Sequence, residues 1–187
     1  STLTFSGAVW ANYAIQSWRS PDEARKRGLR FDNLRLAFDG NYGEHLLFSA
    51  QARIYPFMIG IHHGWFGIRP NKNNQIELGV TQVPFGQLPF ATHSFWFGLG
   101  YYLGMEDDYD AGVKWHYQRG AWDFHLAGFA NEEYGDATNL ERYSTDIVRI
   151  GEQRNEERNQ LNVRLTTTFG EGTDYSSEFG ISGEYGL

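Results

Sequence analysis

Long segments of this chain alternate between apolar and polar residues with a period of two. Near the start, Leu3, Phe5 and Val9 share one parity, while the polar residues Thr4 and Ser6 have the other. Such alternation is typical of a β-strand with one apolar and one polar face. About nine segments are predicted as strands: residues 3–16, 33–39, 46–55, 59–69, 76–81, 111–118, 122–126, 161–169 and 178–187. In the fourth segment the parity is ambiguous, because Trp65 and Phe66 are adjacent. The sequence therefore predicts an all-β fold of antiparallel strands.

The length of these segments bears on the environment of the sheet. Several of them run for about 10–14 residues, whereas strands of globular proteins average about 5–6. Tilted strands that cross a membrane need about 9–11 residues. No apolar run is long enough for a membrane helix, and the mean hydropathy of −0.53 is polar. Membrane β-strands have such a polar average because only alternate residues face lipid.

The connections between the segments differ in length in a regular way. Every second connection is short: residues 40–43, 70–74, 119–120 and 170–173. Three of the others are long: residues 17–28, 84–108 and 131–158. Bacterial outer-membrane barrels have short periplasmic turns and longer external loops. The pattern thus predicts a transmembrane β-barrel in a bacterial outer membrane, surrounded by lipid and lipopolysaccharide.

Composition supports this assignment and excludes others. Aromatic residues make up 17% of the chain, and several flank the short connections, as at a bilayer interface: Phe38, Tyr42, Tyr117, Trp122, Phe169 and Tyr175. The absence of cysteine excludes disulfides and thiolate metal sites. A net charge of −7 argues against a nucleic-acid partner.

The number of strands predicts a larger assembly than these residues form alone. A strand path that begins on the periplasmic side ends outside after nine strands, whereas closed bacterial barrels have an even number. We therefore expect residues 1–187 to be a single β-barrel domain, the N-terminal part of a barrel with about 16–18 strands.

One segment has a family resemblance. Residues 77–86 (Glu-Leu-Gly-Val-Thr-Gln-Val-Pro-Phe-Gly) resemble the point in Gram-negative porins of the phosphate-selective type where a strand enters the third external loop. Residues 31–36 and 108–113 are similar to other strand starts of such porins. The resemblance implies a homotrimeric channel whose third loop folds inward. Anion-selective members carry a ladder of lysines, whereas Lys26, Lys72 and Lys114 are the only lysines here.

The long connection at 84–108 is rich in aromatic residues, including Phe85, Phe90, Phe95, Trp96, Tyr101 and Tyr102. Such a loop must bury this surface. We expect a constriction loop inside the channel, where the rings could also stack on sugars. Plain packing against the barrel wall is the alternative.

Charged residues with the polar parity are the candidates for lining a pore. The basic ones, expected to form a basic wall, are Arg35, Arg53, Lys114 and Arg164. The other predicted lining residues are His116, Glu77 and Asp123, and His125, Asp39, Glu178 and Glu184 have the same parity. Both signs of charge around a lumen tune ion selectivity. The alternative is that these residues pair with one another and affect flux little.

Metal sites and cofactors are not predicted with any strength. Glu106, Asp107, Asp108 and Asp110 form an acidic cluster that could hold Ca²⁺. Their spacing does not match an EF-hand, so a solvated or arginine-paired loop end is favoured. His62 and His63 are adjacent, so in a regular strand they face opposite sides and cannot hold one metal. No cofactor is expected.

These features predict a porin rather than an enzyme. No catalytic serine, zinc-protease or phosphate-loop motif is present. The expected function is a water-filled channel for passive diffusion of small polar or anionic solutes. Two alternatives stay open: a small outer-membrane barrel acting as an anchor, adhesin or enzyme, and a soluble β-sandwich that binds carbohydrate.

Overall fold

The computed structural model describes residues 1–13, 18, 20, 28–56, 59–89, 107–132, 159–170, 172 and 175–186. The strands are β1 (Thr2–Tyr13), β2 (Leu29–Tyr42), β3 (Leu46–Ile54), β4 (Ile59–Asn71), β5 (Asn74–Gln82), β6 (Tyr109–Arg119), β7 (Trp122–Glu132), β8 (Gln160–Phe169) and β9 (Ser177–Gly186). They form one nine-stranded antiparallel sheet, in which each strand pairs with the next along the chain. The predicted all-β fold is therefore confirmed. None of the described residues belongs to a helix long and apolar enough to cross a membrane.

The boundaries of β2 differ most from the prediction. The strand begins at Leu29, because Leu29, Arg30 and Phe31 continue the pairing with the end of β1. It also runs through residues 40–42, which the composition assigned to a turn. The turn comprises residues 43–45 instead. Gly43 adopts a φ of 64° there, a left-handed conformation that favours glycine.

Two-residue turns set the register of two later hairpins. Lys72 and Asn73 join β4 to β5, and Gly120 and Ala121 join β6 to β7. Gly120 has a φ of 59°, which suits the tight hairpin connection. Residues equally distant from such a turn face each other across the hairpin, so His116 of β6 pairs directly with His125 of β7.

The two faces of the sheet have opposite chemistry. On one face, large apolar side chains are exposed, among them Phe5, Phe66, Leu78, Ile181 and Phe179. On the other face, polar and charged side chains are buried: Asn33, Ser49, Arg53, His62, Glu77, Thr81, Asp110, Lys114, His125, Asn162, Arg164 and Thr166. We call these the apolar face and the polar face. This arrangement is the reverse of a water-soluble sheet, which buries its apolar face.

The sheet is interrupted by β-bulges, each placing an extra residue on one strand. In β4, His63 pairs with Gln51 and Ile61 with Ala52, so His62 is the extra residue. A similar register shift occurs between β6 and β7, at Ala111 and Gly112. Bulges bend and twist a strand, and they also change which side chains share a face.

Strands β4 to β7 approach closely at two glycines. Gly79 of β5 and Gly112 of β6 pair directly. A Cβ atom at Gly79 would lie 2.4 Å from the carbonyl oxygen of Gly64, and one at Gly112 would lie 2.2 Å from that of Gly128. Gly79 also has a φ of 131°, which residues with a side chain rarely adopt. No larger residue fits at either position without moving the backbone.

Candidate functional site

A cross-strand ion pair lies at the centre of the polar face. Glu77 of β5 faces Lys114 of β6 in the register, and their charged groups are 2.9 Å apart. Thr81 donates a hydrogen bond to the same carboxylate oxygen. The Lys114 ammonium also reaches the carbonyl oxygen of Gln82, at 3.2 Å. Both side chains are more than nine-tenths buried, and the charges compensate each other there.

A second ion pair ties residue 107, just before β6, to strands β3 and β4. The Arg53 guanidinium contacts both carboxylate oxygens of Asp107, at 2.8 and 3.3 Å. His62 Nε2 lies 3.0 Å from the same carboxylate. Burial alone raises the pKa of Asp107, but the hydrogen bond from His62 and the charge of Arg53 outweigh it and lower the pKa to about 2. Asp107 has a left-handed φ of 58°, which these contacts hold in place.

The prediction that His62 and His63 face opposite sides of the sheet is wrong. Because His62 is the extra residue of the β4 bulge, both rings lie on the polar face. Their Nδ1 atoms are 3.0 Å apart, and both rings pack against the ring of Tyr109 in β6. Regular alternation, on which the prediction rested, does not hold across a bulge.

The histidine pair continues into a chain of hydrogen bonds. The Ser49 hydroxyl donates to Asp39 at 2.6 Å, and it lies 2.9 Å from His63 Nε2. Since a hydroxyl has one proton, the Ser49–His63 bond is donated by the histidine. Polar contacts of 3.0 Å or less thus link Asp39, Ser49, His63, His62 and Asp107 across β2, β3, β4 and the residue that precedes β6 by two positions.

A third cluster lies near the turn between β6 and β7. Asp123 accepts hydrogen bonds from His116 Nε2 at 2.6 Å and from His125 Nε2 at 2.7 Å. The two imidazole rings are stacked, with centroids 4.2 Å apart and planes 4° from parallel. Arg164 of β8 approaches the same carboxylate at 3.4 Å and pairs with Glu178 of β9 at 2.9 Å. This cluster joins four strands through side chains alone.

The segment after β5 lies over the polar face. Val83 and Phe85 pack on the apolar pair Ala127 and Phe129 of β7, which this contact buries almost completely. The amide of Gly86 donates to the Ser182 hydroxyl of β9 at 3.0 Å. Its carbonyl accepts from Arg164 Nε of β8 at 2.8 Å. Residues 83–86 thus extend from β5 across β7 and β8 to β9.

Most of the predicted lining residues lie on the polar face and are engaged in contacts there. Arg53, Glu77, Lys114, Asp123 and Arg164 form the ion pairs described above, and His116 is hydrogen-bonded to Asp123. Arg35 of β2 places its guanidinium 3.9 Å from the centre of the Trp10 ring. At least three of the four basic residues thus pair with carboxylates, as the paired-lumen alternative expects. The effect on ion flux stays a prediction.

The predicted loop and acidic cluster are only partly within the described residues. Of the loop aromatics, Phe85 packs as described, while Phe90, Phe95, Trp96, Tyr101 and Tyr102 lie outside the described residues. In the acidic cluster, Asp107 pairs with Arg53, as the arginine-paired interpretation expects for that residue. Asp110 is fully buried at the start of β6 and Asp108 is partly buried before it. Glu106 lies outside the described residues.

Two groupings were missed from the sequence. The contact of His62 with His63 on the polar face depends on the β4 bulge, for which the sequence carries no clear signal. The convergence of His116, Asp123 and His125 had one: a tight turn at residues 120–121 brings positions 116 and 125 together, and Asp123 shares the face of His125.

Comparisons with known proteins add no relative. The chain matches no protein-family model, no curated protein and no solved structure. Any functional assignment therefore depends on the geometry of the polar face itself.

Proposed function

We propose that this sheet is part of the wall of a bacterial outer-membrane channel through which small polar solutes diffuse passively. In this arrangement the apolar face contacts lipid and the polar face lines the water-filled lumen. Because β1 and β9 are the two edges of the sheet and lipid does not tolerate unpaired strand edges, further strands complete the wall. Porins with about 16–18 strands are the size class that leaves an aqueous channel.

The observation that carries the proposal is the reversed polarity of the sheet. The exposed fraction is 76% for Phe66 and 73% for Phe179 on the apolar face, but 4% for Arg53 and Arg164 on the polar face. Among the described residues, no element packs on the apolar face. Monomeric soluble proteins rarely expose so large a continuous apolar surface, whereas a lipid-facing barrel wall requires one.

Strand length and rim chemistry support the same proposal. The strands have 9 to 14 residues, enough to span a bilayer at the tilt of a barrel. Tyr42, Trp122, Phe169 and Tyr175 are exposed at the end of the sheet where the short connections lie. The amphipathic rings of Tyr42, Trp122 and Tyr175 suit the boundary between lipid and water.

The segment that begins at Val83 is the proposed constriction of the channel. Its contacts with Phe129, Arg164 and Ser182 hold it over the face that would line the lumen. A chain segment lying there narrows the space available to solutes. The pairing of Lys114, Arg53 and Arg164 with carboxylates favours a channel for small polar solutes over one with strong anion selectivity.

The soluble carbohydrate-binding sandwich is less well supported. A β-sandwich buries its apolar face against a second sheet, and all the described strands belong to a single sheet. The small closed barrel is also disfavoured, because such barrels are filled by side chains and the described sheet already has nine strands.

Planar-bilayer recording tests the proposal directly. The native protein, extracted from membranes in detergent, should insert into a planar bilayer and produce stepwise, ohmic conductance in potassium chloride. The same preparation denatured by boiling is the control and should produce no steps. Stable solubility without detergent would contradict the membrane assignment, and membrane insertion without conductance would contradict the channel.

The balance of charge can be tested on the same preparation. Replacing Arg53 and Arg164 by glutamine removes two of the basic groups from the polar face, and the reversal potential in a salt gradient reports the selectivity. Both residues are paired with carboxylates, so replacing them leaves negative charge uncompensated on the polar face. We therefore expect the ion selectivity to shift towards cations. An unchanged reversal potential would show that neither residue faces the path of the ions.

A further inference from the structure

Three potential metal ligands converge at the hairpin formed by β6 and β7. His116 and His125 face each other across the hairpin, and Asp123 lies two residues before His125 on the same face. The ligand atoms of the three side chains all lie within 4.8 Å of one another. Within the described residues, this is the group of histidine and carboxylate side chains that could hold a metal ion.

The chemistry of these ligands suits a transition metal. Imidazole nitrogen and carboxylate oxygen are common ligands of Zn²⁺ and of neighbouring divalent ions. Each histidine now donates from Nε2 to Asp123. A metal ion would bind the Nε2 lone pair, and the proton of each neutral imidazole would move to Nδ1 of the same ring. Tetrahedral Zn²⁺ needs ligand atoms ~3.3 Å apart, given metal–ligand distances of about 2.0–2.1 Å. The nitrogen–oxygen distances are 2.6 and 2.7 Å, so small side-chain rotations would open the site.

The surroundings of the cluster allow an ion to enter. The side chains of His116 and Asp123 are 27% and 23% exposed on the polar face. Arg164 is a positive charge close to Asp123, but it is also held by Glu178, Thr166 and the carbonyl of Gly86. It can therefore remain in place while Asp123 turns towards an ion.

We propose that His116, Asp123 and His125 bind one divalent transition-metal ion of the Zn²⁺ class. Three protein ligands leave a coordination position open to water or solute, as in exchangeable sites rather than closed structural ones. The Nδ1 atom of His125 is buried and has no hydrogen-bond partner in the described part of the chain. Histidine ligands are normally oriented by such a partner, so binding should be reversible.

The test measures Zn²⁺ binding by the full chain in detergent, by competition with a chromophoric chelator. Wild type should bind one Zn²⁺ ion per chain. Each of His116→Asn, His125→Asn and Asp123→Asn should weaken binding by more than about tenfold, since changes to the outer shell alone cost about 10–100-fold. When Co²⁺ replaces Zn²⁺, wild type should show the visible absorption band of cobalt with a low coordination number. His45→Asn, at the exposed turn between β2 and β3, is the matched control and should leave binding unchanged.

Two results would overturn the proposal: no stoichiometric binding by wild type, or equal binding by wild type and the three variants. His116→Cys separates a ligand from a structural role, because cysteine keeps a metal ligand but not the imidazole stack. Binding should persist in that variant and add a sulfur-to-Co²⁺ charge-transfer band. Because the measurement is made in detergent without any current, it is independent of whether the protein conducts.

Discussion

Asp107 makes the free energy of unfolding depend on pH in the acidic range. Its folded pKa of about 2 is lower than the ordinary value of 3.8, so its ionised form stabilises the fold above about pH 4, and this contribution is lost as the pH falls towards 2. The difference corresponds to about 2 kcal/mol of unfolding free energy. We expect the stability advantage of wild type over Asp107→Asn to shrink by about that amount between pH 5 and 2, as measured by urea unfolding.

Other carboxylates also titrate in this range, so the comparison needs a control at an exposed carboxylate. Glu44→Gln changes an exposed side chain at the turn between β2 and β3, and its difference from wild type should stay constant over the same pH range. A constant difference for Asp107→Asn as well would mean that Arg53 and His62 do not stabilise its ionised form.

Single residues show where sequence reasoning succeeds and where it fails. Parity was sufficient to assign Arg53, Glu77 and Arg164 to one face, because alternation depends only on local backbone geometry. It failed at His62, because a bulge inserts a residue without a distinctive local signal. The partner of Arg53 is 54 positions away in sequence, and no local pattern reports such a distance.

At the scale of elements, the segment after β5 depends on one aromatic side chain. Phe129→Ala removes the ring on which Val83 and Phe85 pack, and losing a buried phenylalanine costs about 3–5 kcal/mol. We expect faster hydrogen–deuterium exchange at the amides of Val83 and Gly86, which now bond to Asp108 and Ser182.

Phe66→Ala is the matched control for this experiment, because it makes the same truncation on the exposed apolar face of β4. It should leave exchange at Val83 and Gly86 unchanged. If both variants accelerate exchange equally, the segment is not held by its packing on Phe129.

Strands and turns were more predictable than the loop that crosses them. Eight of the nine strands follow from clear alternation, whereas the parity of residues 59–69, which form most of β4, is ambiguous in the sequence. The short connections predicted at 70–74 and 119–120 overlap the observed turns at 72–73 and 120–121. The path of residues 83–86 depends on contacts with β7, β8 and β9, which are distant in sequence. Aromatic content indicated that this loop buries surface, but it did not identify the surface.

For the whole molecule, the sequence predicted a sheet with one apolar and one polar face, because the alternation of residue types along each strand is a local property of the sequence. The sequence also predicted a barrel, but among the described residues β1 and β9 do not pair with each other, so closure stays a prediction. The proposed contact of the apolar face with lipid can be tested by a substitution within the described sheet.

Leu78→Arg provides that test. Leu78 is the central residue of β5, is 63% exposed, and lies between the exposed apolar residues Phe66 and Val113 of the neighbouring strands. In a lipid-facing wall, arginine at the bilayer midplane costs about 2–4 kcal/mol, whereas an exposed substitution in water usually changes stability by less than about 0.5 kcal/mol. Urea unfolding in lipid vesicles should therefore show a large loss for Leu78→Arg. Gln118→Arg adds the same charge at an exposed position on the polar face and should cost little. Equal stability of the two variants would mean that lipid does not cover the apolar face.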